Sequence, residues 1–217
     1  MFKVTRTFPA PDSLGDKKDY KSSDVLTSLK KCFYDKCYLC ETKEPHDINV
    51  EHFTPHCGNE QLKFEWENLY LVCSRCNNIK LASKKELLDC CDKNIDVSDF
   101  ISILPPTTPY AKKIPIEALN NEPKVVNTTD LLDKIYNSEH SINKEVTGSF
   151  LRRKIFDEMR KIGDHMNKYL ESDALPEEKD IALRKIKKLT EADAPYSAVA
   201  KHQVLNDTIF SELIFGK

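Results

Sequence analysis

Glycine is scarce in this sequence, with 5 residues among 217, and no stretch approaches the roughly 18 consecutive apolar residues that a membrane helix needs. Residues Met1 to Phe8 hold no apolar block of the kind that opens a secretory signal. A soluble, cytoplasmic chain without membrane association is therefore expected. Scarce glycine, 11 scattered prolines and the lack of any internal repeat exclude collagen-like, linker, solenoid and propeller architectures. Positive charge is not in excess either. The 33 basic and 35 acidic residues give a net charge of −2, far from the basic footprint of a stand-alone nucleic-acid binder.

Cysteine is plentiful by contrast, with 8 residues. A reducing compartment keeps thiols from forming disulfides, so these are read as metal ligands, nucleophiles or small buried apolar residues. Four fall in two C-x-x-C pairs, Cys37/Cys40 and Cys73/Cys76, separated by 32 residues. Two such knuckles bring four thiolates within reach of one tetrahedral ion, and Zn²⁺ favours that ligand set. A closed tetrathiolate site has no open coordination position, so this zinc is expected to be structural. Cys32, Cys57, Cys90 and Cys91 lack a second pair spacing and are read as core or incidental residues.

Four segments are expected along the chain. Residues 1–36 read as an extended arm and a lead-in helix, on which Val25, Leu26, Leu29 and Phe33 recur at helical spacing. Residues 37–95 mix cysteines, histidines and short β-like runs and read as a metal-organised module. Residues 96–129 carry Pro105, Pro106, Pro109, Pro115 and Pro123 and read as a connector. Within it, Ile114–Leu119 and Lys124–Val126 are expected to pair as strands across Asn120-Asn121. Residues 130–217 read as helical. Leu151, Ile155, Met159, Ile162, Met166 and Tyr169 form one stripe of a long helix. A second helix is expected from Pro176, and a third from about Tyr196 to Leu205.

Between the knuckles lies Asn49-Val50-Glu51-His52-Phe53-Thr54-Pro55-His56, and the second knuckle is framed by Glu67-Asn68-Leu69 and by Asn77-Asn78-Ile79-Lys80. The order Cys-x2-Cys, Glu-His-x-x-Pro, Asn-Leu, Cys-x2-Cys-Asn-x2-Lys resembles the HNH endonuclease family. The resemblance implies an α+β fold: a zinc-stabilised ββα-metal module followed by a mainly helical C-terminal half. It implies hydrolysis of DNA phosphodiester bonds, with His52 as the general base that activates water, a task suited to a neutral imidazole at neutral pH. It places a catalytic Mg²⁺ or Mn²⁺ on Glu51 and the side-chain oxygen of Asn77, and gives Asn68 a supporting role between the loop and the strand bearing His52. Glu51 stands where Asp is more frequent, and Asn77 where His is more frequent. Adjacent strand residues point to opposite sides, so a bend or bulge at Glu51–His52 is expected. His56 follows His52 by four residues, but Pro55 argues against a helical zinc-binding pair. The remaining histidines, His46, His140, His165 and His202, are read as surface or core residues.

Arg75, Lys80 and Lys84 lie on the helix expected after the second knuckle and are the candidate phosphate contacts. Residues 30 to 93 nevertheless hold 10 basic and 11 acidic side chains, a poor balance for holding DNA unaided. A partner that supplies binding or activation is expected. Phe8-Pro9-Ala10-Pro11, Lys36-Cys37-Tyr38-Leu39-Cys40-Glu41 and Ala194-Pro195-Tyr196-Ser197-Ala198 resemble the PtuB-type HNH proteins of bacterial Septu and retron defence systems. That resemblance implies an anti-phage role beside an ABC-type ATPase of the PtuA kind, with the helical half as docking surface. The competing readings are a non-catalytic zinc-ribbon module that binds nucleic acid or protein, and an interaction protein stapled by its zinc.

Overall fold

The computed structural model describes residues 1–81, 85–139 and 146–217. Asp24 lies in the first turn of helix α1 (Ser23–Cys32), where negative charge suits the helix dipole. Its carboxylate accepts hydrogen bonds from Ser13 Oγ and Ser22 Oγ, each at 2.7 Å, which hold its pKa down to about 2. Val25, Leu29 and Cys32 then recur at helical spacing and are buried.

After the first cysteine pair, strand β1 (Ile48–His52) pairs antiparallel with β2 (Leu69–Cys73), in register from Ile48 opposite Cys73 to His52 opposite Leu69. Every residue of β2 is buried, which explains its unbroken Leu-Tyr-Leu-Val run. Between the strands sits a short helix, α2 (Glu60–Phe64), capped by Asn59, whose side chain accepts from Leu62 N. Helix α3 (Ser74–Leu81) begins on the residue after β2. Tyr38 N donates to Leu71 O at 3.0 Å, binding the first knuckle to the sheet.

The proline-rich stretch holds a second small sheet, β3 (Ile101–Ile103) against β4 (Ile116–Ala118). The strand expected at Lys124–Val126 is instead helical. Pro123 opens α4 (Pro123–Asn137) at the first helical position, where its missing N–H costs nothing. The partner of β4 comes from 15 residues upstream. Four further helices follow: α5 (Gly148–Leu170), α6 (Pro176–Thr190), α7 (Ser197–Leu205) and α8 (Phe210–Phe215). The chain is thus mixed α and β, with two-stranded sheets and a helical C-terminal half. No helix among the described residues is long and apolar enough to cross a membrane.

One apolar cluster joins these elements, and Leu29, Leu71, Ile101 and Ile155 all belong to it. The first residues, expected in an extended arm, enter it too. Met1, Phe2 and Val4 are buried, and Val4 N donates to Cys90 O at 2.9 Å. A buried polar knot fastens the first knuckle to the start of α7. Lys36 Nζ donates to Ala192 O (2.8 Å), Ala194 O (2.7 Å) and Ser197 Oγ (3.1 Å), and lies 3.4 Å from Glu41 Oε2. The same Glu41 oxygen accepts from Ala198 N at 3.2 Å and Ser197 Oγ at 3.1 Å, while Glu41 Oε1 lies 3.1 Å from the Met1 ammonium. Burial alone would raise the Glu41 pKa, but the two cations and these donors carry it below the ordinary value.

Candidate functional site

Cys37, Cys40, Cys73 and Cys76 are all buried, and their sulfurs lie within 4.8 Å of one another. Cys40 Sγ and Cys73 Sγ are 3.9 Å apart. A tetrahedral zinc with Zn–S bonds of about 2.3 Å requires an S–S edge of about 3.8 Å, so the cluster is already close to the size the ion needs. The local folding explains the convergence. A turn closes the first pair, with Glu41 N donating to Cys37 O at 2.9 Å. Cys73 ends β2, and Cys76 falls in the first turn of α3. Burial pushes the Cys37 and Cys76 thiols up, whereas hydrogen bonds from Cys37, Cys73 and Cys76 hold the Cys40 thiol down. The donor set is soft and closed, and it can hold a structural zinc.

His52 ends β1 half-buried, with its Nε2 2.9 Å from the backbone oxygen of Lys63. A carbonyl only accepts, so Nε2 carries the hydrogen and Nδ1 keeps its lone pair. Tyr20 and His56 each lie with ring centroids 4.7 Å from the imidazole. Burial lowers the His52 pKa, helped by the charges of His56, Lys80 and Lys63 and opposed by the bond to Lys63 O. The ring is therefore neutral at neutral pH. Asn68 locks the loop that follows His52. Its Oδ1 accepts from Thr54 N at 2.8 Å, and its Nδ2 donates to Thr54 O at 2.9 Å and Leu62 O at 3.0 Å. Leu62 precedes Lys63, the residue that orients His52.

The bend expected at Glu51–His52 is absent. The register stays regular to His52 opposite Leu69, so Glu51 and His52 face opposite sides of β1. Glu51 points into the protein, where Tyr38 OH donates to its Oε1 and Lys80 Nζ lies 3.2 Å from its Oε2. Burial raises the Glu51 pKa, against the opposing pull of Lys80 and Tyr38. Lys80 also donates to His52 O and Phe53 O, each at 3.0 Å. Asn77 is half-buried, and its side chain makes no hydrogen bond among the described residues. With both oxygens of Glu51 already engaged, this arrangement does not fit a divalent ion on Glu51 and Asn77.

No family model and no curated protein matches the chain.

The expected phosphate contacts need correction. An ammonium has three N–H donors, and those of Lys80 all go to internal oxygens. Arg75 is buried and donates to Ile135 O at 2.7 Å and Ser138 O at 3.0 Å, capping the carbonyl end of α4. Lys84 lies outside the described residues, as does His140. The physical reason is shared by Arg75 and Lys80: α3 packs against the sheet and α4, where unpaired carbonyls and a buried carboxylate await cations. Exposed lysines occur instead at Lys17, Lys18 and Lys21, in the segment that places Tyr20 on His52. Sequence reasoning missed Tyr20, Tyr38 and the Lys63 carbonyl. Tyr20 and Lys63 lie in no motif of the sequence, Tyr38 reads there only as a neighbour of the first cysteine pair, and only the fold brings the three to the site. Among the other cysteines, Cys32 and Cys90 are buried, Cys91 is half-buried and Cys57 is exposed. A cavity of about 560 Å³ lined by His46, Asp47, Arg75, Lys154 and Tyr196 includes neither His52 nor Glu51.

Proposed function

We propose that this protein is an HNH-type endonuclease that hydrolyses phosphodiester bonds of DNA, with His52 as its base. The observation that carries the reading is the geometry of His52: its Nε2–H is fixed on Lys63 O, its Nδ1 makes no hydrogen bond among the described residues, and burial lowers its pKa. Water donates its proton to Nδ1 and its oxygen attacks phosphorus, while the bond to the departing 3′ oxygen breaks and takes the electron pair with it. Asn68 holds the loop that sets the ring orientation and is a positioning residue. The four cysteines hold a structural Zn²⁺ that fixes β2 and α3 against the first knuckle. The divalent ion that the family resemblance implies, Mg²⁺ or Mn²⁺, is not assigned to Glu51, whose two carboxylate oxygens already face Tyr38 and Lys80.

The biological setting belongs to the same proposal. With Arg75 and Lys80 turned inward, α3 has even less charge to offer phosphate than its sequence suggests. Weak intrinsic DNA affinity follows, and an ABC-type ATPase of the PtuA kind, docked on the helical half, would supply substrate binding in an anti-phage complex. A second reading, a zinc-stapled binding module without catalysis, is favoured by the pairing of Glu51 with Lys80. Plasmid nicking separates the two. The zinc-loaded protein, alone and with its partner, should convert supercoiled DNA to open circles, and His52→Ala should not. Equal nicking by both proteins, or by neither, refutes the nuclease reading.

A further inference from the structure

Five oxygens converge where β1 leaves the sheet: both carboxylate oxygens of Glu51, the Tyr38 hydroxyl, and the two successive carbonyls of His52 and Phe53. Such oxygen clusters ordinarily attract a hard cation. A cation is already there. Lys80 Nζ lies 3.2 Å from Glu51 Oε2 and 3.0 Å from each carbonyl, and both side chains of the pair are less than one-tenth exposed (9% and 6%).

We propose that the Lys80 ammonium is the resident cation of this site, positioning His52 through its backbone and excluding divalent ions from Glu51. The three donors of the ammonium match three acceptors, so the group is satisfied where it stands. It is also tethered, because Lys80 lies one turn beyond Cys76 on a helix that the second knuckle anchors. A divalent ion bound at Glu51 would sit within a few ångströms of this charge. Like charges at about 4 Å repel by several times thermal energy even at an effective dielectric of about 20. Ion and ammonium therefore exclude each other. The two carbonyls belong to the base itself and to its neighbour, so the same contact that fills the cluster also sets where the His52 backbone leaves β1. Lys80 is thus a positioning residue and does not meet the substrate.

This deepens the nuclease reading of the same site, but its measurement needs no DNA, so the two can fail separately. Mn²⁺ binding to the zinc-loaded full chain is followed by the electron paramagnetic resonance of free Mn²⁺. The wild type and Lys80→Arg should bind weakly. Lys80→Met should bind at least about tenfold more tightly, since a full like charge is removed, and adding Glu51→Gln should abolish that gain. Wild-type binding as tight as that of Lys80→Met, or a gain that survives Glu51→Gln, overturns the inference. Should Lys80→Met lose its zinc or its helical circular dichroism, Lys80→Gln and the wild type decide the matter. In the wild type the ¹⁵N resonance of the Lys80 ammonium should be protected from exchange and unmoved by Mg²⁺. An exchange-averaged signal, or one displaced by Mg²⁺, refutes the proposal.

Discussion

Asn68→Ala offers the most quantitative test of how the site is held. The Asn68 amide is buried and pairs with the Thr54 peptide as a second backbone would, accepting at 2.8 Å and donating at 2.9 Å, with a third bond to Leu62 O at 3.0 Å. Alanine removes all three bonds and leaves the Thr54 N–H and two carbonyls without that partner. At about 1 kcal/mol net for each bond, the loss is about 3 kcal/mol. For a chain of this size each kcal/mol moves Tm by about 2–4 °C, so a drop of about 6–12 °C is expected in calorimetry of the zinc-loaded protein. Zinc content should stay unchanged, because no thiolate is touched. Cleavage should fall more than stability predicts, since the loop carrying Lys63 O then no longer fixes the Nε2–H of His52. Asn68→Asp keeps the acceptor for Thr54 N but sets a carboxylate against two carbonyls, so it should cost at least as much as alanine. An Asn68→Ala protein that melts within about 2 °C of wild type and cuts at the wild-type rate would refute the account.

Other expectations follow from individual contacts. His52→Ala should abolish cleavage while leaving one zinc per chain, measured by metal analysis and nicking together. Cys73→Ser should lose the zinc and most of the soluble protein, because a structural zinc site contributes its binding free energy to folding, on the order of 10–16 kcal/mol in small zinc peptides. His52 and His202 both have pKa values lowered chiefly by burial. Unfolded histidines take up protons near about pH 6.5, whereas these resist, so the stability they contribute is present above that pH and lost as pH falls below it. Tm should decline across that window, and the rate of nicking should hold to a lower pH than an ordinary imidazole base allows. Lys36→Met leaves the buried Glu41 with one cation fewer and should cost about 3–5 kcal/mol, measured by denaturant unfolding.

Local signals were legible where a residue's role depends on its neighbours in sequence. The cysteine spacing reads as a four-sulfur cluster, and the cluster is there. The stripe from Leu151 to Tyr169 is α5, and Pro176 opens α6. Pro123 was ambiguous because proline can interrupt a strand region or begin a helix. The apolar positions Val125, Leu131, Leu132, Ile135 and Tyr136, all buried, decide for the helix. Lys80 and Arg75 illustrate the opposite case. A lysine on a helix reads as solvated or phosphate-facing, but its destination depends on which carbonyls and carboxylates the tertiary fold leaves open. Glu51, His52 and Phe53 come from 27 to 29 residues upstream of Lys80, and Ile135 and Ser138 from 60 to 63 residues downstream of Arg75. No periodicity carries that information. The alternation of β1 was readable, yet the need for a bulge was inferred from the resemblance and not from the strand itself.

The knot of Lys36, Glu41, Ser197 and Ala198 bears on how this protein can be dissected. Trimming the chain after about residue 130 looks like a clean way to separate a metal module from a docking region. It would in fact strip Lys36 of three of its oxygen partners and Glu41 of two donors, and it would also take away the α4 carbonyls that Arg75 caps. Such a fragment would fail for reasons unrelated to any partner. The proposed docking of a partner on the helical half is better tested by single substitutions at exposed positions such as Ile181 or Leu213, which leave the knot intact.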